Sequence, residues 1–233
     1  MTADQDPSAL EYEPAAAAVQ RAWSLSDVVS ALEEDIVFGR LHPRERLVEE
    51  ELMSRFAVKR HIAREALSSM ERMGLVERRK NIGAFVRSFT AREVTELYRL
   101  RSLLETEAAR SIPLPVPTDK LDELIATQIR HDDAVEAADT HLVFRLNLSF
   151  HQQLFRLADN QTLIQAITEY ARQTHTIRFL SLLSATYREQ ARAEHWQMIE
   201  ALESQDRDRL VALCAEHLLP SRDTYLEAQR QRL

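Results

Sequence analysis

Three histidines and an asparagine have the residue types and the spacing to hold a metal ion. In NLSFHQQLF, Asn147 and His151 stand four residues apart, one turn along a helix face that Leu154 and Ala158 continue. In AEHWQMIEAL, His195 lies in line with Ile199 and Leu202. In LVALCAEHLL, His217 lies in line with Leu210, Leu213 and Cys214. The three imidazoles are therefore expected to point inward from three different helices. Neutral imidazole is the commonest transition-metal ligand, and three of them with a side-chain amide oxygen leave coordination positions open. A single histidine on an apolar stripe is ordinarily a hydrogen-bonded core residue, so the metal reading rests on the set. His42, His61, His131, His141 and His175 lack such placement and read as surface or internally satisfied.

Arg101 is a second candidate. In LYRLRSLLETEAAR it falls in line with Leu97, Leu104 and Ala108, an inward face. A buried guanidinium needs a partner, either an internal acid such as Glu105 or an anionic ligand.

The third group is basic. The chain carries a formal net charge of −7, yet residues 55–87 hold nine Lys/Arg against three Glu, so that segment is near +6 and the rest near −13. Such asymmetry suits a localised polyanion contact. The order of elements says which polyanion. SLSDVVSALEEDIVFG reads as a helix capped by Ser24 or Ser26 and stopped by Gly39. LHPRERL reads as a turn. VEEELMSRFAV and KRHIAREALSSMERMG read as two short helices joined by three or four residues, a helix-turn-helix. GLVERRKNIGAFVRS reads as two strands around the basic turn Arg79-Lys80-Asn81, a wing. A recognition helix inserts its early residues into the DNA major groove, which here places Lys59, Arg60, His61 and Arg64 at the bases and phosphates. Arg60 can fork onto guanine, and the wing adds Arg78, Arg79 and Lys80, with Gly83 allowing close backbone approach.

The remainder reads as helix, over roughly 90–111, 118–137, 139–158, 161–183, 186–204 and 206–230, punctuated by Pro113, Pro115 and Pro117. The expected fold class is mainly α: a disordered arm over 1–22, a winged helix-turn-helix domain over 23–88, and an all-α antiparallel bundle over 89–233. Scarce glycine (3) and 6 % aromatics speak against a turn-rich all-β fold or a glycine-rich phosphate-binding fold. One cysteine, Cys214, excludes an internal disulfide framework. No apolar run nears the roughly 18 residues of a membrane span, and the start lacks a signal-peptide pattern, so a cytoplasmic location is expected.

The run from Gly39 to Val86 resembles the DNA-binding domain of GntR-family bacterial transcription regulators. The likeness rests on G-x-L-x-P…ERL, EEEL, V-x-R…REAL, GLV and GAFV. It implies that Arg60, Arg64 and the Gly83 wing touch operator DNA. Arg44 departs from the family's glycine after proline, and Lys59, His61 and Ile62 replace smaller or hydroxyl residues, which bears on the operator sequence. Residues 90–225, through N-x-x-x-H, ADNQTLIQAI, E-H and a final H, are similar to the FCD effector domain of the FadR subfamily. The resemblance implies a metal set of Asn147, His151, His195 and His217, with Asn147 where aspartate is commoner. It also implies a small carboxylate effector, for which Arg101 serves as clamp. Six helices rather than seven lean toward the VanR-like branch.

The chain is thus read as a homodimeric, ligand-responsive repressor of a palindromic operator. It is expected to carry a divalent transition metal, zinc ahead of nickel or manganese, and to bind a small organic acid. Two alternatives stand beside this reading. One is a DNA-binding regulator whose metal is purely structural, or which has no effector. The other is a metal-dependent hydrolase, against which there is no HExxH, no G-x-S-x-G and no general base in evident position: Glu194 should point about 100° away from His195.

Overall fold

The computed structural model describes residues 22–231. Apart from Ala22, the expected N-terminal arm lies outside the described residues. Helix α1, Leu25–Val37, begins at a capping box in which Ser24 accepts from the Asp27 amide and Asp27 accepts from the Ser24 amide. It buries Val28, Leu32 and Ile36 and gives way to Gly39 in the left-handed region, φ 68°. Helices α2, Glu49–Phe56, and α3, Arg60–Arg72, are joined by Ala57-Val58-Lys59, and Ala57 (φ 51°) turns the chain between them. Strands β2, Val76–Arg79, and β3, Gly83–Val86, pair antiparallel with Arg79 opposite Gly83, leaving a three-residue tip in which Asn81 takes a positive φ of 62°.

One element differs from expectation. Within LHPRERL, Arg46 and Leu47 form β1, which pairs antiparallel with β3 and makes a three-stranded sheet of order β1-β3-β2. Two residues are too few for an alternating pattern to show in sequence. Arg44 has φ 72°, so the position after Pro43 demands a left-handed backbone, which arginine meets at a steric cost glycine lacks. Leu32, Leu47, Phe56, Leu67, Met70 and Val86 are among the side chains of one core shared by α1–α3 and the sheet.

The rest of the described chain is helical: α4 Ala91–Ser111, α5 Thr118–Glu136, α6 Thr140–Arg156, α7 Gln161–Gln173, α8 His175–Leu182, α9 Ala185–Glu203, α10 Arg207–Glu216 and α11 Leu219–Arg230. Two of the six expected helices are interrupted, which gives eight segments among the described residues. The break between α7 and α8 falls at Thr174, whose hydroxyl turns back onto the Ala171 carbonyl at 2.6 Å. The break between α10 and α11 precedes Pro220, in the first turn of α11, where its missing N–H costs no hydrogen bond. Short connections such as Ala137-Ala138-Asp139 make consecutive long helices antiparallel neighbours. Their main core gathers Phe150, Leu154, Met198, Ile199, Leu202 and Leu213 among others.

The winged unit is seated on the helical one through α1, α3 and α7–α8. Val37 packs on Phe144 of α6. Glu33 faces His175 at 3.1 Å and Arg172 at 3.8 Å, and Glu34 faces Arg145 at 3.3 Å. Gly74, after α3, has φ +73°, and a Cβ there would stand 2.7 Å from Cγ of Gln173. Gly74→Ala should therefore lower stability by about 1–2 kcal/mol through backbone strain, with a further cost as Gln173 shifts. Equilibrium urea unfolding measures it, and an unchanged midpoint would contradict the close seating.

Candidate metal and effector site with a DNA-facing surface

The expected histidine convergence is present. His151 on α6, His195 on α9 and His217 at the end of α10 bring one ring nitrogen each to a common point. The Nε2 atoms of His151 and His217 are 3.0 Å apart, and those of His151 and His195 are 3.3 Å apart. Two nitrogens each about 2.0–2.1 Å from one ion stand roughly 2.9 Å apart at octahedral angles and 3.3 Å at tetrahedral ones, so the spacing fits a divalent metal.

The outer nitrogens explain why Nε2 faces inward. His195 Nδ1 donates to Oε1 of Gln128 at 2.9 Å. Gln128 in turn donates to Asp132 at 2.7 Å, so its amide orientation is fixed. His217 Nδ1 donates to Oε2 of Glu194 at 2.5 Å. Each proton sits on Nδ1, which leaves the Nε2 lone pairs bare for an ion. Burial, reinforced by the neighbouring His217 and by the positive charges of Arg178 and Arg101, pushes His151 well below the usual imidazole pKa of 6.5. Burial, followed by the other histidines and Arg178, does the same for His195. Both are neutral at pH 7, the form that binds metal. The Glu194 carboxyl is pushed up by burial, but the hydrogen bonds from His217 and Gln190 outweigh this and hold it below its usual value.

Asn147 is buried one turn before His151, as the spacing predicts. It lines a small neighbouring void with His131, Arg178 and Tyr187. His131, read from sequence as surface or satisfied, is buried in α5, its ring 5.2 Å from that of His195. Neither of its nitrogens has a hydrogen-bond partner among the described residues. Burial, partly offset by Asp132, lowers its pKa to about 4.

His151 also lines a cavity of about 330 Å³ between α1, α4, α6, α7 and α8. Arg101 of α4 and Arg178 of α8 are in its wall, 3 % and 5 % exposed, so two nearly dry guanidinium groups stand near the histidine cluster. Arg101 makes the internal pair that the sequence allowed, with Nε and Nη2 donating to one oxygen of Glu105 at 2.9 and 2.8 Å. Its Nη1 donates to the Thr174 hydroxyl at 3.2 Å. Nε of buried Arg178 has no hydrogen-bond partner among the described residues. Phe144, Phe155, Ile164 and Ile167 supply apolar wall, and Glu33 and Glu34 close the end nearest α1. Sequence reasoning missed Arg178, whose signal is a lone cation in the otherwise apolar run TIRFLSLL, and Glu33, which carried no signal of its own.

The candidate DNA-facing residues line or flank one exposed groove. Arg64, Arg79, Lys80 and Gly83 line it, between α3 and the sheet. Lys59, Arg60 and His61 open α3 and are exposed. Three arginines are engaged by acids of their own domain: Arg60 with Glu50 at 3.0 Å, Arg64 with Glu49 at 3.6 Å and Arg79 with Glu77 at 2.6 Å. Exposed pairs of this kind contribute about 0–1 kcal/mol, so phosphates can replace them cheaply. Arg78, expected at the DNA with the rest of the wing, is exposed but pairs with Glu71 at 3.2 Å and donates to Ser68 at 2.8 Å and the Arg64 carbonyl at 3.2 Å, tying the wing to α3. Arg46, which carried no signal in sequence, also lines the groove, with Nε 3.3 Å from a Cβ built on Gly83.

Comparison with known proteins agrees with both halves. Residues 25–86 match the family model "Bacterial regulatory proteins, gntR family", and residues 96–219 match the FCD domain. The HTH-type transcriptional repressor RspR of Escherichia coli K12 is 26% identical over 187 residues, 80% of this chain and 82% of that protein. The HTH-type transcriptional regulator YdhC of Bacillus subtilis is 27% identical over 182 residues, 76% of this chain and 80% of that protein. Among solved structures, McbR/YncC of E. coli superposes with a TM-score of 0.75 at 19% identity, covering 89% of this chain and 99% of that one. A GntR transcriptional regulator from Rhodococcus sp. RHA1 gives 0.73 at 22% identity, covering 88% and 98%. These likenesses exclude the hydrolase reading, and among the described residues no helix is long and apolar enough to cross a membrane. With a GntR head and an FCD domain covering more than half its length, the chain belongs to the GntR family of bacterial transcription regulators.

Proposed function

We propose that this regulator is a homodimeric repressor with a DNA-binding domain over residues 23–88 and an effector-binding, dimerising domain over 89–233. A divalent metal, zinc ahead of nickel or manganese, sits on His151, His195 and His217 with Asn147 as a further ligand. A small carboxylate lies between it and Arg101. When bound, the metal supplies a Lewis-acidic centre with positions left open for carboxylate oxygens. Arg101 and Arg178 neutralise the acid in a nearly dry wall, and the aromatic and aliphatic wall takes its carbon skeleton.

The observation that carries this reading is the composition of a single cavity. One space of about 330 Å³ is lined by a histidine of the cluster, two buried arginines and Glu33 of the head's first helix. Glu33 faces His175 and Arg172, which line the same cavity. An anion entering there competes with Glu33 for Arg172 and for the neutral ring of His175, so ligand and head position are linked. A ligand acts only by its differential affinity for two head arrangements, and a linkage of 1–3 kcal/mol corresponds to roughly 5–150-fold in DNA affinity. Effector binding is expected to release a palindromic operator whose half-sites lie one helical turn apart.

Elemental analysis with native mass spectrometry of the purified full chain tests the reading. One metal per subunit in a dimer, with a small acid retained, is the expected result. Metal without any acid-dependent change in operator affinity would favour a purely structural ion. A metal-free dimer would return the three histidines to the core. For the DNA surface, Arg60→Ala should lose discrimination at one base pair, worth about 1–3 kcal/mol, whereas Arg79→Ala should weaken all DNA alike. Fluorescence anisotropy on operator and scrambled duplexes separates the two, and an unchanged selectivity ratio in Arg60→Ala would misplace the recognition helix.

A further inference from the structure

The proposed metal ligands carry no charge: three imidazoles, and the amide of Asn147. A dication on neutral donors in a buried site calls for an anion close by. Two carboxylates stand one residue behind the ring cluster. Asp132 lies behind Gln128, but its charge is already taken up by Arg192 at 3.3 Å and its second oxygen by the Trp196 N–H at 2.8 Å. Glu194 differs. Its partners among the described residues are Nδ1 of His217 at 2.5 Å and the side-chain amide of Gln190 at 2.8 Å, and no lysine or arginine pairs with it. Although Glu194 precedes His195 in the chain, it serves the histidine of another helix.

We infer that Glu194 is the positioning residue of the metal site: through Nδ1 of His217 it fixes that ring with Nε2 inward and supplies the negative charge that the direct ligands lack. A histidine ligand backed by a carboxylate is a stronger donor than one backed by water or an amide. His195, backed by the neutral carbonyl of Gln128, is the internal contrast. The site is thus polarised toward the His217 side, where among the described residues a carboxylate meets a ring of the cluster directly.

This inference rests on the metal reading above, and the test separates the two. Zinc alone is titrated into the full-length chain against a fluorescent chelator, for wild type, Glu194→Gln and Glu194→Asp. Glu194→Gln keeps an acceptor for the His217 proton and removes only the charge. It should bind zinc 10–100-fold more weakly, with Glu194→Asp recovering part of the loss. Cobalt alone gives a spectroscopic readout, in which the visible band should shift in Glu194→Gln. Zinc affinity in Glu194→Gln within twofold of wild type overturns the inference and leaves the metal reading standing. A wild-type chain that binds no zinc overturns both. Should Glu194→Gln fail to fold, nitrogen-15 NMR of wild type decides instead. Zinc-loaded His217 should show a retained Nδ1 proton and a metal-bound Nε2, and the opposite tautomer overturns the inference.

Discussion

His195→Ala is expected to abolish metal binding and the stability that comes with it. The imidazole is fully buried, stacked on Phe150 at 4.0 Å between ring centres with 12° between planes. It is held from outside by Gln128 at 2.9 Å. Two histidines and the weakly donating amide of Asn147 remain, a poorer donor set than the three imidazoles of a tightly held zinc. For wild type at a free zinc concentration about 1,000 times Kd, binding adds roughly 4 kcal/mol to folding. In a chain of this size that raises Tm by about 8–16 °C. His195→Ala also loses packing and strands the Gln128 carbonyl, so its metal-free Tm will fall too. The decisive quantity is therefore the difference between zinc and chelator within each protein. Wild type should show the full rise and His195→Ala none. An equal rise in both would place the ion elsewhere.

How much of this site is legible in sequence depends on whether an interaction stays on one element. Helix periodicity gave the inward direction of His151, His195 and His217, and inward directions from three helices of one bundle converge. The helix-turn-helix was equally legible, because its signals are local: a capping serine, a three-residue link, Gly74 as a stop. Glu194 marks the limit. Its direction away from His195 was predictable, but what lay in that direction was not, since His217 reaches it from α10 across the bundle. Arg178 and Glu33 were hidden for the same reason. Each gains meaning only when α8 and α1 are brought to one cavity. The two helix breaks differ in kind. Pro220 inside an expected helix is a visible signal for the second. The first, at Thr174, has no Gly or Pro, and is set by side-chain bonds to the Ala171 carbonyl and to Arg101.

Arg101 faces both a protein acid and the cavity, so a single substitution there cannot show which role matters. Arg101→Met should destabilise the chain by about 3–5 kcal/mol, because Glu105, 3 % exposed, would be left buried without its cation. That loss is expected whether or not an effector exists. Arg101→Met combined with Glu105→Leu removes both charges and replaces them with apolar groups of similar size, a change that is often neutral or stabilising. The double variant should therefore recover most of the lost stability, retain zinc on its untouched histidines and bind operator DNA as tightly as wild type. What it should lose is the response to the acid retained by the purified protein: a 5–150-fold drop in operator affinity in wild type becomes no change. Operator titrations by anisotropy, with and without that acid, measure this directly. A double variant that folds and still releases DNA on adding the acid would make Arg101 a structural ion-pair partner and shift the clamp to Arg178. Both oxygens of a carboxylate could be met by Arg178 alone, whereas an acid held by Arg101 would lie against the guanidinium that also holds Thr174 at the α7–α8 break. The residue after that break is His175, which faces Glu33 of the DNA-binding domain. Loss of response with zinc and DNA binding retained would thus place the acid at Arg101, whose partner Thr174 precedes the His175 that meets Glu33 of α1.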